Sequence, residues 1–315
     1  MLSEKQFSQI RTWVYRNARE IDLNVWKFHF ENGKKEDVVS ALSHYQNEDG
    51  GFGNALEPDN WNPASTPYVT LYALGLLQRI GMTDTSHPIY KGIFEYLSSE
   101  KDLTDYGWRF NVPENNNYPR APWWNYSEDA NKTESIGPTC GLCAFILQNM
   151  DKTSSVYKKA ETLAKQALDN LLTAKNFGDM GIGGYIGLID ALPTLNIGDY
   201  DMPALYSKIN ELVNASIERD VNKWQYYGVL PSTYIHSPQS PFYPANKEIV
   251  DQEINYLLET LPENGVWNIS WTWFDNMESY GKEFIISENW WKAAAAVDKL
   301  VLLKNFGRLE TGQGR

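Results

Sequence analysis

The chain of 315 residues is poor in several things, and each shortage narrows what it can be. Only two cysteines are present, Cys140 and Cys143 in GPTCGLCAFIL, so there is no disulfide framework. Their spacing matches half a zinc site, but no second pair exists and they open an apolar helix, which reads as two buried core thiols. Basic residues are outnumbered, 28 Lys and Arg against 40 Asp and Glu, for a net charge of -12. That balance excludes a nucleic-acid backbone as partner, because neutralising phosphates takes clustered Lys and Arg. An anionic membrane surface is disfavoured on the same ground. No run of eighteen or so uninterrupted apolar residues occurs, and MLSEKQFSQIRTW lacks a basic stretch followed by an apolar one, so a protein without a membrane span, in the cytoplasm, is expected. Strand signals are scarce as well.

Aromatic residues are abundant by contrast: 12 Trp, 19 Tyr and 12 Phe. Helical periodicity recurs along the whole chain, giving an all-α class. The helices come in two alternating kinds. One is amphipathic, with stripes such as Val38, Val39, Leu42; Ile89, Ile93, Leu97; Ala160, Ala164, Leu168; Leu205, Ile209, Leu212; and Ile249, Ile254, Leu257. The other is apolar almost all round: TPYVTLYALGLLQRIG, with Pro67 at a first position and Gly81 at a C-terminal cap, then GPTCGLCAFILQNM, GIGGYIGLIDALPTL and SENWWKAAAAVDKLVLLKNFG, with Ser287 as N-cap. Half-buried alternating with fully buried helices, about five times, is the pattern of two concentric rings, an α/α toroid occupying residues 1-307 as one domain, with 308-315 a polar, disordered tail. Between residues 220 and 246 the prolines at 231, 238, 241 and 244 preclude a long helix, so that pair is degenerate.

Loop lengths are asymmetric. The connections 46-65, 100-136 and 262-286 are long, and those near 82-87, 151-153 and 196-202 are short. One end of the molecule is therefore expected to be thickly covered. Its loops carry Trp61, Trp108, Trp123, Trp124, Trp267, Trp271 and Trp273 with Glu57, Asp59, Glu128, Asp129 and Asp275. Aromatic walls with a few acids at the mouth of a cavity make a default site for a small molecule or a glycan.

QNEDGGFG, Gln46 to Gly53, is similar to the Q-x-x-D-G-G-[WF] repeat motif of the terpenoid cyclase and protein prenyltransferase α/α-toroid superfamily, with weaker echoes at DLTDYGWRF, FGDMGIGGY and LPENGVWNISW. The resemblance implies the toroid and a structural role for the motif: Gln46 caps a neighbouring helix end, Asp49 accepts from turn amides, Gly50 and Gly51 permit a left-handed turn, and Phe52 packs between layers. The family's catalytic runs are missing. There is no D-x-D-D, no D-D-x-x-D and no zinc set of Asp, Cys and His, although SEDANKTE is acidic. A diphosphate would find only Arg109, Arg120 and Lys132 in the loops.

The segment ALEPDNWNPAS is not explained by the motif. Pro58 holds Glu57 and Asp59 in place, either as a helix cap or partner of an Arg, or as site residues. On the leading reading the protein is a cyclase-like enzyme on an isoprenoid or other apolar substrate, with Glu57 or Asp59 as proton donor, Trp61, Trp123, Trp124, Trp271 and Trp273 as cation-stabilising walls, and no cofactor, magnesium entering only with a diphosphate substrate. Trp108 joins these as a binding residue. The alternative is a glycan-binding or glycan-cleaving toroid, fitted by NNNYPRAPWWNYSED, in which Asp59 pairs with Asp275 or Asp129 at about 5-5.5 or about 6.5-9.5 Å. A toroid that binds without turnover is the third reading. Asp190, inside an apolar run, is either partnered or at an exposed helix end.

Overall fold

A computed structural model describes residues 1–173 and 178–310. The described chain is mostly helix and divides into two compact units. One comprises Met1–His44 with Ile217–Arg315 and the other Tyr45–Ser216. The all-α expectation holds, the sole strands among the described residues being β1, Leu103–Thr104, and β2, Gly107–Trp108, paired antiparallel. Among the described residues no helix is long and apolar enough to cross a membrane.

The second unit contains α4 (Pro67–Arg79), α5 (Pro88–Ser98), α6 (Glu128–Glu134), α7 (Ile136–Asn149), α8 (Ser155–Leu171), α9 (Gly178–Ala191) and α10 (Met202–Ser216). Helix α4 starts as its sequence dictates: the Thr66 side chain accepts from Val69 N at 3.2 Å, Pro67 follows, and Gly81 ends the helix region with φ +64°. Inside the unit helix α7 packs on α4, α8 and α9, α5 packs on α8, and α9 packs on α10. Helix α7, apolar on every side, is buried along most of its length, including Cys140 and Cys143, whose thiols burial pushes up. Two glycines let α9 and α7 approach closely, since a Cβ at Gly184 would lie 2.4 Å from Gly137 O. Helix α9 is less enclosed than its composition suggests. Gly183, Gly187 and Asp190 are exposed, and Asp190 accepts from Tyr206 OH at 3.1 Å, which places it at the wet side of the helix.

The first unit contains α1 (Glu4–Asn17), α2 (Glu20–Phe30), α3 (Lys35–Ser43), α11 (Tyr243–Thr260) and α12 (Met277–Asn305). A capping box between Ser3 and Gln6 opens α1. Helix α12 packs on α1 and α2 around Trp26, Phe7 and Phe30. The proline-rich stretch holds two short 3-10 turns, Val221–Lys223 and Pro231–Thr233, and no α-helix before α11. Two expectations are corrected. Ser287 is not an N-cap: α12 begins ten residues earlier, and Ser287 is fully buried inside it, past an irregular Tyr280. Helix formers in MESYGKEF carry the helix upstream. The tail is also shorter than its composition indicates, because Leu2 N donates to Arg308 O at 2.7 Å and Glu310 N to Leu2 O at 3.1 Å. The rest of that tail, 311–315, lies outside the described residues.

Candidate functional site

The covering loops of the second unit are built on the repeat motif. Gln46 Nε2 donates to Gly50 O and to Ile89 O, both at 2.9 Å, the latter in the first turn of α5. Asp49 Oδ1 accepts from Gly51 N at 3.1 Å and from Ser65 Oγ at 2.5 Å. Gly50 takes φ +85°, and a Cβ there would fall 2.0 Å from Gly92 O. Gly51 is not left-handed. It is needed because a Cβ would strike Ser65 and Tyr96. Phe52 is fully buried and its amide donates to Thr70 Oγ1 at 3.1 Å.

The echo DLTDYGWRF forms a second copy. Trp108 is fully buried, its amide donates to Thr139 Oγ1 at 2.9 Å, and Thr139 stands at the fourth residue of α7 as Thr70 does in α4. FGDMGIGGY is no turn: from Gly178 onward it is helix α9, and Phe177 lies outside the described residues.

Glu57 and Asp59, expected at a cavity mouth, are 3% and 1% exposed within the loop layer. The reason is a second loop laid against theirs. Trp61 N donates to Pro119 O at 3.0 Å and Ala121 N to Asp59 O at 2.9 Å. Buried asparagines complete the seam. Asn62 Nδ2 donates to Asn115 Oδ1 at 2.9 Å, Asn111 N to Asn131 Oδ1 at 2.9 Å, and Asn131 Nδ2 to Asn111 O at 2.8 Å. Each buried amide would be costly without these partners, so the Asn-rich stretch is here a structural seam. Neither carboxylate caps α4, since Thr66 does.

The tryptophans divide by burial. Trp124 is buried and stacked on Phe110, ring centroids 4.9 Å apart, with Tyr68 alongside at 4.7 Å. Trp108 and Trp124 are therefore core, offering no open face to a ligand in this conformation. Trp61 is half-buried, with Nε1 donating to Pro58 O at 3.0 Å, and Trp123 is 37% exposed. In the first unit Trp267 and Trp273 are buried, Trp271 is half-buried between Tyr227 and Trp291, and Asp275 is exposed on the 3-10 turn Phe274–Asn276. Asp129 has a side chain 93% exposed and bonded to Lys132 at 2.8 Å, which holds its carboxyl low. A buried Asp59 does not open on a common groove with it.

The second unit does contain a cleft, of about 670 Å³, at the end where the covering loops lie. Ile136, Thr139, Leu163, Ala167 and Tyr185 form its walls, and Tyr106, Lys132, Thr133, Glu134, Gln166 and Asn170 supply polar groups. Its size is that of a small-molecule site. The α6–α7 junction, the second half of α8 and the start of α9 position these residues. Partial burial pushes the Glu134 carboxyl above its ordinary range. Tyr106 OH donates to Glu128 Oε1 at 2.8 Å, Tyr126 OH to Glu128 Oε2 at 2.6 Å, and Arg109 sits 3.4 Å from Glu128 and 3.7 Å from Asp102. The cations near the cleft are thus already paired. Among the described residues no group of three or more His, Cys, Asp or Glu side chains could hold a metal ion.

Glu134 and Tyr106 were present in the sequence as the last acid of SEDANKTE and the residue before the glycine of the echo. Their shared cleft was not legible, because it depends on α8 and α9 packing beside them. No family model, curated protein or solved structure matches the chain.

Proposed function

We propose that the chain is a cyclase-like enzyme built as an α/α toroid of the terpenoid cyclase and protein prenyltransferase type, acting on a neutral, largely apolar small molecule in the cleft of the second unit. The observation that carries this reading is the placement of Glu134, a solvent-accessible carboxyl raised by partial desolvation, on a cleft walled by Ile136, Leu163, Ala167 and Tyr185. A carboxyl whose charged form is disfavoured beside an apolar wall is the group on this cleft best suited to exchange a proton. The repeated turn, bonded into α4 at Thr70 and into α7 at Thr139, and the packing of α7 on α4, α8 and α9 support the toroid.

A diphosphate substrate with magnesium is the poorer fit. Lys132 is bonded to Asp129 and Arg109 is paired with Glu128 and Asp102, leaving little positive charge for it. Protonation of a neutral substrate, not ionisation of a diphosphate, is the chemistry that matches. Glu57 and Asp59 then serve to hold the loop layer over the cleft end.

A glycan is the second reading, favoured by Thr133, Gln166 and Asn170 on the cleft, whose hydroxyl and amides suit a polyhydroxyl ligand. Thermal-shift titration separates the two, with neutral polyprenoids, prenyl diphosphates plus magnesium, and oligosaccharides as panels. A ligand at about 100 times its Kd adds about 2.7 kcal/mol, a shift of a few degrees. Stabilisation by neutral polyprenoids, with Glu134→Gln binding them but losing conversion, is the expected result. Stabilisation by oligosaccharides alone overturns the cyclase reading.

A further inference from the structure

The tripeptide Glu-Asn-Gly occurs twice in the chain, at Glu31–Gly33 and at Glu263–Gly265, and these hold its two Asn-Gly pairs. Both lie in the first unit, one just after α2 and the other between α11 and α12. An Asn-Gly pair is prone to self-modification, because a glycine amide with no side chain beside it can attack the carbonyl carbon of the asparagine side chain. Ring closure asks two things of the fold. The asparagine ψ, which aims the glycine nitrogen, must be free to turn, and the glycine N–H must not be committed to a hydrogen bond.

The two copies differ on both counts. Asn32 is held left-handed at φ +54°, and Gly33 N donates to Lys27 O at 2.9 Å, closing the end of α2. A Cβ at Gly33 would lie 2.7 Å from the backbone carbonyl carbon of Lys27, so this glycine is pressed onto the helix. Turning the Asn32 ψ would break that bond. At the second copy neither the Asn264 side chain nor the Gly265 N–H has a hydrogen-bond partner among the described residues. Asn264 is not left-handed, and the nearest atom that a Gly265 Cβ would meet is Trp13 Cδ1 at 3.5 Å, an ordinary contact. Both asparagines are exposed, so access to water does not separate them. The backbone does.

We propose that Asn264 is a deamidation site, converting to aspartate and isoaspartate in the folded protein while Asn32 is preserved. The Gly265 nitrogen, giving up its proton to solvent base, attacks Asn264 Cγ. The N–Cγ bond forms, the Cγ–Nδ2 bond breaks, and the amide nitrogen leaves as ammonia with a proton returned from solvent. Water then opens the succinimide at either carbonyl, giving aspartate or, with the backbone rerouted through Cγ, isoaspartate. Water is the sole co-reactant, and nothing is oxidised or reduced. Each product places a new carboxylate beside the exposed Glu263, in the connection between α11 and α12.

The test incubates the full chain in mildly alkaline buffer at physiological temperature. The peptides holding Asn32 and Asn264 are then followed by mass and by the chromatographic separation of their aspartate and isoaspartate forms. Asn264 is expected to convert at least about tenfold faster than Asn32 in the native chain, since the Gly33 bond must open before its nitrogen can attack. In concentrated urea the same tripeptide is free at both sites, and the two rates should converge. Equal native rates, a faster Asn32, or an Asn264 that stays intact while the unfolded chain converts overturns the proposal. A gap that persists unchanged in urea overturns it too, because the following residues, Lys34 and Val266, would then set the difference in place of the fold. No outcome depends on a variant that folds.

Discussion

In the turn at Gln46–Gly53 the amide of a buried Phe52 donates to Thr70 Oγ1 at 3.1 Å, while in the turn at 102–110 the amide of a buried Trp108 donates to Thr139 Oγ1 at 2.9 Å. The sequences that do this share little: QNEDGGFG has the full motif, and DLTDYGWRF keeps an acid, a glycine and an aromatic. Even the glycines act differently. Gly50, at φ +85°, presses on Gly92 O, whereas Gly107, at φ +122°, presses on the threonine that receives the bond. What persists is a left-handed glycine, a buried ring and one backbone-to-threonine bond into the fourth residue of the following helix. The motif is thus one solution of a geometric requirement, and a repeat can keep the geometry after losing the letters.

Three experiments break or sharpen that comparison. The largest effect is expected for Gly50→Ala, whose Cβ would lie 2.0 Å from a backbone oxygen that cannot rotate away. Strain at positive φ adds to the overlap, for a loss of about 3 kcal/mol or more in urea unfolding. Gly107→Ala meets the Thr139 side chain, Oγ1 at 2.1 Å and Cβ at 2.9 Å, which can yield by giving up the Trp108 bond, so it should cost less. Equal losses would mean that backbone strain, not the neighbour, decides both.

Next in size, Thr70→Val and Thr139→Val each leave a buried amide without its acceptor, at about 1 to 3 kcal/mol. If the two turns are equivalent, the two variants should lose the same amount within about 0.5 kcal/mol. A neutral Thr139→Val would remove the second turn from the repeat.

The most selective effect concerns pH. Both threonine staples are uncharged, but in the first unit the Ser232 turn is held by an ionisable group, Glu253, which burial raises to about 7. Between the ordinary carboxyl value of 4.5 and about 7 the native state therefore holds a proton that the unfolded chain releases, and stability falls as pH rises through that window. Lys299 has the opposite sign: lowered to about 8 from 10.5, it makes stability rise with pH between those values. A stability minimum between about 7 and 8 is expected. Glu253→Gln should remove the fall on its acid side while leaving the threonine staples untouched. A stability profile that is unchanged in Glu253→Gln would show that other groups govern the pH response.

Much of the helical framework was legible in local signals. The start of α4 at Thr66-Pro67 is written in capping chemistry, the burial of Cys140 and Cys143 in an all-round apolar helix, and the missing helix around 231 in its prolines. Ser287 misled because a serine before an apolar run is a good cap only if the chain upstream is not already helical, and here it is. The site was far less legible. Loop tryptophans and loop acids look alike whether they face solvent, a ligand or one another. Trp108, Trp124, Glu57 and Asp59 turned out to face the interior, while Asp129, in the same loops, faces water.

Composition and periodicity determined the all-α class of this protein, and the motif QNEDGGFG the turn at Gln46, because those depend on neighbours within a few positions along the chain. Only the tertiary structure decided that four buried asparagines, Asn62, Asn111, Asn115 and Asn131, seam the covering segments together, that Glu134 and Tyr106 share a cleft with α8 and α9, and that Lys299 Nζ lies 5.4 Å from the Trp267 ring. Each of those outcomes joins residues tens of positions apart, and whether a polar group there is satisfied, solvated or stranded is settled by what packs against it.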